Sequence, residues 1–246
     1  MARLALKAEA RRFYLSYFWW VLEPLLYVMV FWLVFDKLLG TPTPDFLMFL
    51  AVGKLTFTWF SKTVSTAAGS LVNNVGLIGR MDMPKTLFPM AAILECSYKQ
   101  IAVFILLGLF VILDGRPISV QWGWLLPLAV VQLLLIITCG FIAALLVCLS
   151  QDFAPLINLG MIFLMFMSGV FWDPNELANI QSMDLLMLVN PVAFLLNGYR
   201  QVLLWQVQPD LHHLMGLGLV LSLTIALLAV FMQRYSRHIA RRILSK

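Results

Sequence analysis

The chain has 246 residues, of which 62% are hydrophobic and only 12% charged, with a mean hydropathy of +0.91. A soluble domain carries about 25% charged residues, so this composition excludes a sizeable soluble catalytic domain. In such a chain the net charge of +5 reports membrane topology rather than affinity for nucleic acid.

In chain order, the first element is basic and amphipathic. Arg3, Lys7 and Arg11 fall at i, i+4 and i+8, with Arg12 beside them, and Leu6, Ala10, Phe13 and Tyr17 flank this stripe. The pattern predicts a helix over residues 1–16 lying in the membrane interface; the plainer alternative is a basic flank that only sets topology. The apolar run that follows has no small-residue cleavage site and continues to full span length, so no cleaved signal peptide is expected. Its opening, "RRFYLSYFWWVLEPLLYVMVFW" (11–32), holds Glu23 and Pro24 inside a lipid-soluble stretch. Glu23 is expected either to pair with a lysine of the second span or to cap a neighbouring helix end. Trp19 and Trp20 suit an interfacial aromatic belt, or equally a contact with the apolar face of a sugar ring.

A span of about 20 apolar residues crosses the hydrocarbon core. Three segments contain no Asp, Glu, Lys or Arg: 123–149, 153–172 and 211–233. Three more are long enough but charged: 17–35 with Glu23, 46–65 with Lys54 and Lys62, and 87–113 with Glu95 and Lys99. The expected fold is therefore all-α, with six transmembrane helices in a single domain over 1–246.

Ionisable residues at a helix centre cost roughly 2.5–3.5 kcal/mol each on insertion scales, so five of them need a reason. In the second span Lys54, Thr58, Ser61, Ser65 and Gly69 recur at helical spacing and form one polar stripe, with Lys62 at its edge and Phe49, Phe57 and Phe60 on other faces. The stripe either lines a hydrated path or bonds to neighbouring helices; Lys62 either joins it or snorkels to the interface. Glu95 and Lys99 are i, i+4 with the acid first, the favourable order for an intrahelical pair. Nothing in the spacing brings Glu23 and Glu95 together.

Between the second and third spans runs "LVNNVGLIGRMDMPKTLFP" (71–89), short and bounded by prolines, a docking element rather than an enzyme. The segment 185–205, "LLMLVNPVAFLLNGYRQVLLW", is split by Asn190–Pro191 and contains Arg200. With six spans, eleven basic residues lie inside, three outside (Lys37, Arg116, Arg200) and three within spans. A seventh span would carry the five C-terminal basic residues outside, against the positive-inside rule. The segment is thus expected to enter and return as a re-entrant helical hairpin (173–208), which needs protein or water around its break. Both termini are then cytoplasmic. Cys96, Cys139 and Cys148 give neither disulfide nor metal spacing and are expected to pack. His212 and His213 are adjacent and face different ways, which suits an interface better than a metal. No Walker A, GxSxG, HExxH or Cys/His cluster is present.

Four motifs in order carry a resemblance. "RFYLSYFWWVLEPLL" is similar to the Arg-aromatic…Trp…Leu-(Glu/Asn)-Pro opening of the membrane subunits of ABC-2 type polysaccharide exporters, and its "LEP" leans toward the capsule branch. "NVGLIGRMDMPKTLFP" resembles that family's coupling segment through Asn74, Leu77, Ile78, Arg80, Pro84, Lys85 and Pro89, and leans toward the O-antigen branch. "SQDFAPLI" resembles the loop after the fourth span through Asp152, and "LVNPVAFLLNGYRQVLL" the Asn-Pro of the external re-entrant helices. The Glu95/Lys99 pair is a departure from the family pattern.

The resemblance covers nearly the whole chain. It implies a homodimer in the cytoplasmic (inner) membrane of a bacterium, with two ATP-binding cassette subunits that bind the ATP and magnesium, so no cofactor and no catalysis in this chain. It implies a lipid-linked glycan (capsular polysaccharide, O-antigen or teichoic acid) as substrate, surrounding membrane lipids, and periplasmic polysaccharide export proteins as further partners. The interfacial helix with Arg3, Lys7, Arg11 and Arg12 would form a gate. Trp19, Trp20, Glu23, Tyr27, Lys54, Thr58, Ser61 and Ser65 would line the path, and Pro24 would mark the bend into the membrane. Two other functions stay open: an ABC-2 exporter of a small amphiphile or drug, which calls for a lateral apolar pocket, and a membrane-embedded glycan or lipid enzyme, which calls for paired carboxylates facing one cavity.

Overall fold

The computed structural model describes residues 22–27, 29–30, 33–34, 45–80, 83–174 and 180–236. The expected interfacial helix over 1–16, and with it Arg3, Lys7, Arg11, Arg12, Trp19 and Trp20, lies outside the described residues. Among those described, every regular element is helical. Lipid offers no partner for backbone N–H and C=O groups, so an uninterrupted apolar run satisfies them within a helix.

Residues 22–27 are helical. Then come α1 (Phe46–Gly69), a 3₁₀ turn (Val72–Asn74), α2 (Val75–Arg80) and α3 (Leu87–Leu113). A second 3₁₀ turn (Val120–Trp124) leads into α4 (Leu125–Leu149), followed by α5 (Phe153–Met167), α6 (Ile180–Val189), α7 (Pro191–Leu203) and α8 (Leu211–Arg234). Among the described residues, three stretches are long and apolar enough to cross a membrane: Leu87–Leu113, Val120–Leu149 and Leu211–Arg234.

α1 has 24 residues, about 36 Å at 1.5 Å per residue. It is the hub of the molecule rather than a lipid-facing rod. Fifteen of its residues are buried, and it packs against α3, α4, α5 and α7. The buried Gln132 side chain of α4 donates to the Thr56 carbonyl at 3.0 Å. α8 packs against α4 and leaves most of its apolar surface uncovered.

α5 is shorter than the charge-free run 153–172. It ends at Met167 after 15 residues, about 22 Å, less than the roughly 30 Å hydrocarbon core. Gly169 sets this end. Its φ is +70°, and a Cβ there would stand 2.7 Å from Pro174 Cγ, so a side-chain-bearing residue would be both strained and crowded.

The break at Asn190–Pro191 falls where the sequence places it. Asn190 is the N-cap of α7, accepting from the Val192 and Ala193 amides at 3.1 Å each, with Pro191 at the first helical position. Its amide also donates to Ser168 Oγ at 3.0 Å, tying the break to the end of α5. Of the two halves, α7 is almost wholly buried, and α6 exposes Leu185, Leu188 and Val189. At the far end of α7, Arg116 pairs with Asp45 and Asp114 and donates to the Leu204 carbonyl. That knot joins the start of α1, the end of α3 and the end of α7.

Candidate functional site

The polar stripe of α1 borders the exposed residues of that helix, Lys62 and Thr66. Lys54, Thr58, Ser61, Ser65 and Gly69 are half-buried, whereas Phe49, Phe57 and Phe60 are in the core. A 3.6-residue period puts those two sets on different sides. Thr58 Oγ1 donates to the Lys54 carbonyl at 2.7 Å, and Ser61 Oγ to the Thr58 carbonyl at 3.4 Å. These bonds stay within the helix rather than joining it to a neighbour. Ser65 does reach across, donating to Asn158 Oδ1 of α5 at 2.8 Å. Lys54 meets soft partners: its Nζ lies 3.2 Å from Met165 Sδ and 5.3 Å from the centre of the Tyr27 ring.

Beside the stripe, a cavity of about 160 Å³ opens between the helical residues 22–27, α1 and α3. Two ion pairs line it. Lys62 Nζ holds both Glu23 carboxylate oxygens, at 2.7 and 3.1 Å, so Glu23 takes the lysine-pairing role rather than capping a helix end. Lys62 is 57% exposed in this pair. Lys99 Nζ meets Glu95 Oε1 at 3.0 Å, the intrahelical pair that the i, i+4 spacing foretells. The expectation that nothing joins Glu23 and Glu95 is corrected: both line this one cavity. Pro24, within the helical residues, is buried and lines it too.

The spacing of the stripe did not single out Trp59, Thr63 or Gln100. All three are more than nine-tenths buried and line the cavity. Among the described residues, Trp59 Nε1, Thr63 Oγ1 and Gln100 Nε2 have no hydrogen-bond partner, although an unpaired buried group costs about 1–3 kcal/mol. A signal was present: Trp59, Thr63 and Thr66 continue a polar edge beside Lys62, and Gln100 follows Lys99 in an otherwise apolar span. Cys96, expected only to pack, also lines this cavity. The three cysteines are free thiols.

Arg200 is a further residue whose surroundings the sequence did not reveal. It is fully buried. Its guanidinium donates to the carbonyls of Gly169 at 2.8 Å, Val170 at 3.1 Å and Phe49 at 3.4 Å, and lies 3.4 Å from the centre of the Phe49 ring. A Cβ on Gly53 would fall 2.3 Å from Nη2, so α1 makes room for the guanidinium with a glycine.

In the segment 71–89, Asn74 Nδ2 donates to the Ser70 carbonyl at 2.7 Å, closing the end of α1. Leu77 is half-buried, Pro84 is exposed, and Ile78 and Lys85 are buried. The side chain of Arg80 lies outside the described residues. Asp152 stands at the N-cap position of α5 and accepts from Ser150 Oγ at 2.7 Å. Asp210 caps α8 through the amides of His212 and His213, and the His213 ring stacks on Phe194 at 4.1 Å. A second, apolar cavity of about 540 Å³ lies between α1, α4, α5, α6 and α7.

No family model matches the chain. Individual proteins do. It is 20% identical over 80% of its length to the O-antigen export system permease protein RfbA of Klebsiella pneumoniae, covering 76% of that protein. It is 24% identical over 87% of its length to the RfbA permease of Myxococcus xanthus, covering 83%. To the polysialic acid transport protein KpsM of Escherichia coli it is 30% identical over 52% of its length, covering 50%.

Proposed function

We propose that this chain, a distant homologue of the O-antigen and polysialic acid export permeases, is the transmembrane subunit of an ATP-driven exporter. It moves a lipid-linked polysaccharide across the cytoplasmic membrane through a path at the interface of a homodimer. The observation that carries this is the face of α1: Lys54, Thr58, Ser61 and Ser65 lie half-buried on one side of the helix, next to the exposed Lys62 and Thr66 and away from the core residues Phe57 and Phe60. Two such faces related by a two-fold axis would form a hydrated passage, along which sugar hydroxyls exchange hydrogen bonds without a tight site to hold them.

In the proposed arrangement six spans put both termini in the cytoplasm, and 173–208 is the external hairpin. The helix over 1–16 gates entry near Trp19, Trp20, Glu23 and Tyr27. ATP is hydrolysed in two separate subunits that dock on 71–89. The exposed Pro84 and half-buried Asn74 and Leu77 suit that contact, with Arg80 beside them. Ile78 and Lys85, buried in the protomer, support the loop from within.

The test replaces Ser61 with Trp. Membrane insertion and assembly are expected to persist while surface polysaccharide falls by about tenfold or more, and cysteines at 58, 61 and 65 should react with water-soluble thiol reagents far faster than cysteines at 57 and 60. Undiminished export by Ser61→Trp would sink the proposal. The apolar cavity near Phe60, Phe163 and Leu186 favours a second reading, export of a small amphiphile. In that case filling the cavity with Leu186→Trp, rather than Ser61→Trp, would abolish transport.

A further inference from the structure

The cavity between α1 and α3 is built as a binding site. Three polar side chains, each more than nine-tenths buried, line it with unfilled hydrogen-bonding capacity: Trp59, Thr63 and Gln100. Trp59 Nε1–H and the Gln100 amide NH₂ can only donate, and the Thr63 hydroxyl can donate or accept. An occupant must therefore bring at least two acceptors close together.

Charge narrows the choice. The walls carry Glu23 with Lys62 and Glu95 with Lys99, two acids balanced by two amines. An anion would meet two carboxylates, and a cation two ammonium groups. A neutral group bearing several hydroxyls suits both, because each hydroxyl donates and accepts. Leu55, Pro24 and Val103 add apolar wall, which fits the C–H face of such a group. About 160 Å³ is below the 300–1,000 Å³ of pockets for drug-sized ligands, so the occupant is small.

We infer that this cavity binds one neutral polyhydroxylated group, with Trp59 and Gln100 donating to its hydroxyl oxygens. The group has two potential sources: a single sugar ring of the exported chain, which rests on the proposed function, or the polyol headgroup of a membrane lipid, which does not.

Cys96 lines the cavity and reports on it. In full-length protein carrying Cys139→Ala and Cys148→Ala, held in phosphatidylcholine nanodiscs, the reaction of Cys96 with a small methanethiosulfonate is timed. The probes are the methyl glycosides of mannose, galactose and glucose, and monoolein, an uncharged lipid with a glycerol headgroup, replacing part of the phosphatidylcholine. Slowing by a methyl glycoside supports the sugar ring; slowing by monoolein alone supports the lipid headgroup. Trp59→Phe, which keeps a ring against Phe104, and Gln100→Leu should each weaken the protection by about fivefold, the worth of one hydrogen bond. The two variants do not share a packing risk, so one misfolding leaves the other to decide. The inference is overturned if neither probe slows the reaction, if protection survives both substitutions, or if inorganic phosphate protects as well as the polyols. The measurement needs no ATP and no partner subunit. Its failure therefore leaves the export proposal standing, and normal export by Ser61→Trp leaves this site standing.

Discussion

Arg200 and the α1–α3 cavity show two ways of keeping charge inside a membrane protein. At Arg200 three backbone carbonyls and an aromatic face surround a guanidinium with no solvent exposure. The Gly53 backbone leaves space for nothing else. In the cavity two ion pairs sit on the walls, one of them about half exposed, and three buried polar groups have no partner among the described residues. The first arrangement is closed: its bonds join α7 to α1 and to the turn after α5. The second is open: it borders free volume, and Trp59, Thr63 and Gln100 are among the residues that line it. Buried charge marks a lock when protein partners meet it, and a site when donors are left over.

The sharpest way to break this comparison is Arg200→Ala. It strands carbonyls and leaves a hole at the junction of three elements, so a loss of about 3 kcal/mol or more is expected in detergent unfolding. Arg200→Lys should recover little, because a point charge cannot replace the planar fork. Wild-type stability of Arg200→Ala would show that α7 is held by other contacts.

Accessibility sharpens it next. In a background without native cysteines, Thr66→Cys at the cavity should react with a water-soluble thiol reagent about tenfold or more faster than Val202→Cys on buried α7, because the open region admits water and the closed one does not. Equal rates would erase the distinction.

The smallest effect belongs to the exposed ion pair. Glu23→Gln should change stability by less than about 1 kcal/mol, as exposed pairs do, and the exchange Glu23→Lys with Lys62→Glu should restore thiol reactivity at Cys96 if the single variant alters it. A loss as large as that at Arg200 would mean that the cavity walls also lock the fold.

By itself the sequence determined the elements that local physics controls. Apolar runs that lipid compels to be helical gave α3, α4 and α8 nearly to the residue. The Asn-Pro pair gave the break between α6 and α7, because Pro191 cannot continue a helix and Asn190 caps the next one. The 3.6-residue period gave the separation of Lys54, Thr58, Ser61 and Ser65 from Phe57 and Phe60, and the i, i+4 rule gave Glu95–Lys99. Tertiary structure alone decided which elements meet. It joined Glu23 to Lys62 across 39 positions and Arg200 to Phe49 across 151. It also placed Glu23 and Glu95 on one cavity, and ended α5 early through the turn at Gly169. Spacing along a helix fixes the face a residue occupies. The partner opposite that face depends on how helices pack, and in a chain so uniformly apolar many packings share the same pattern.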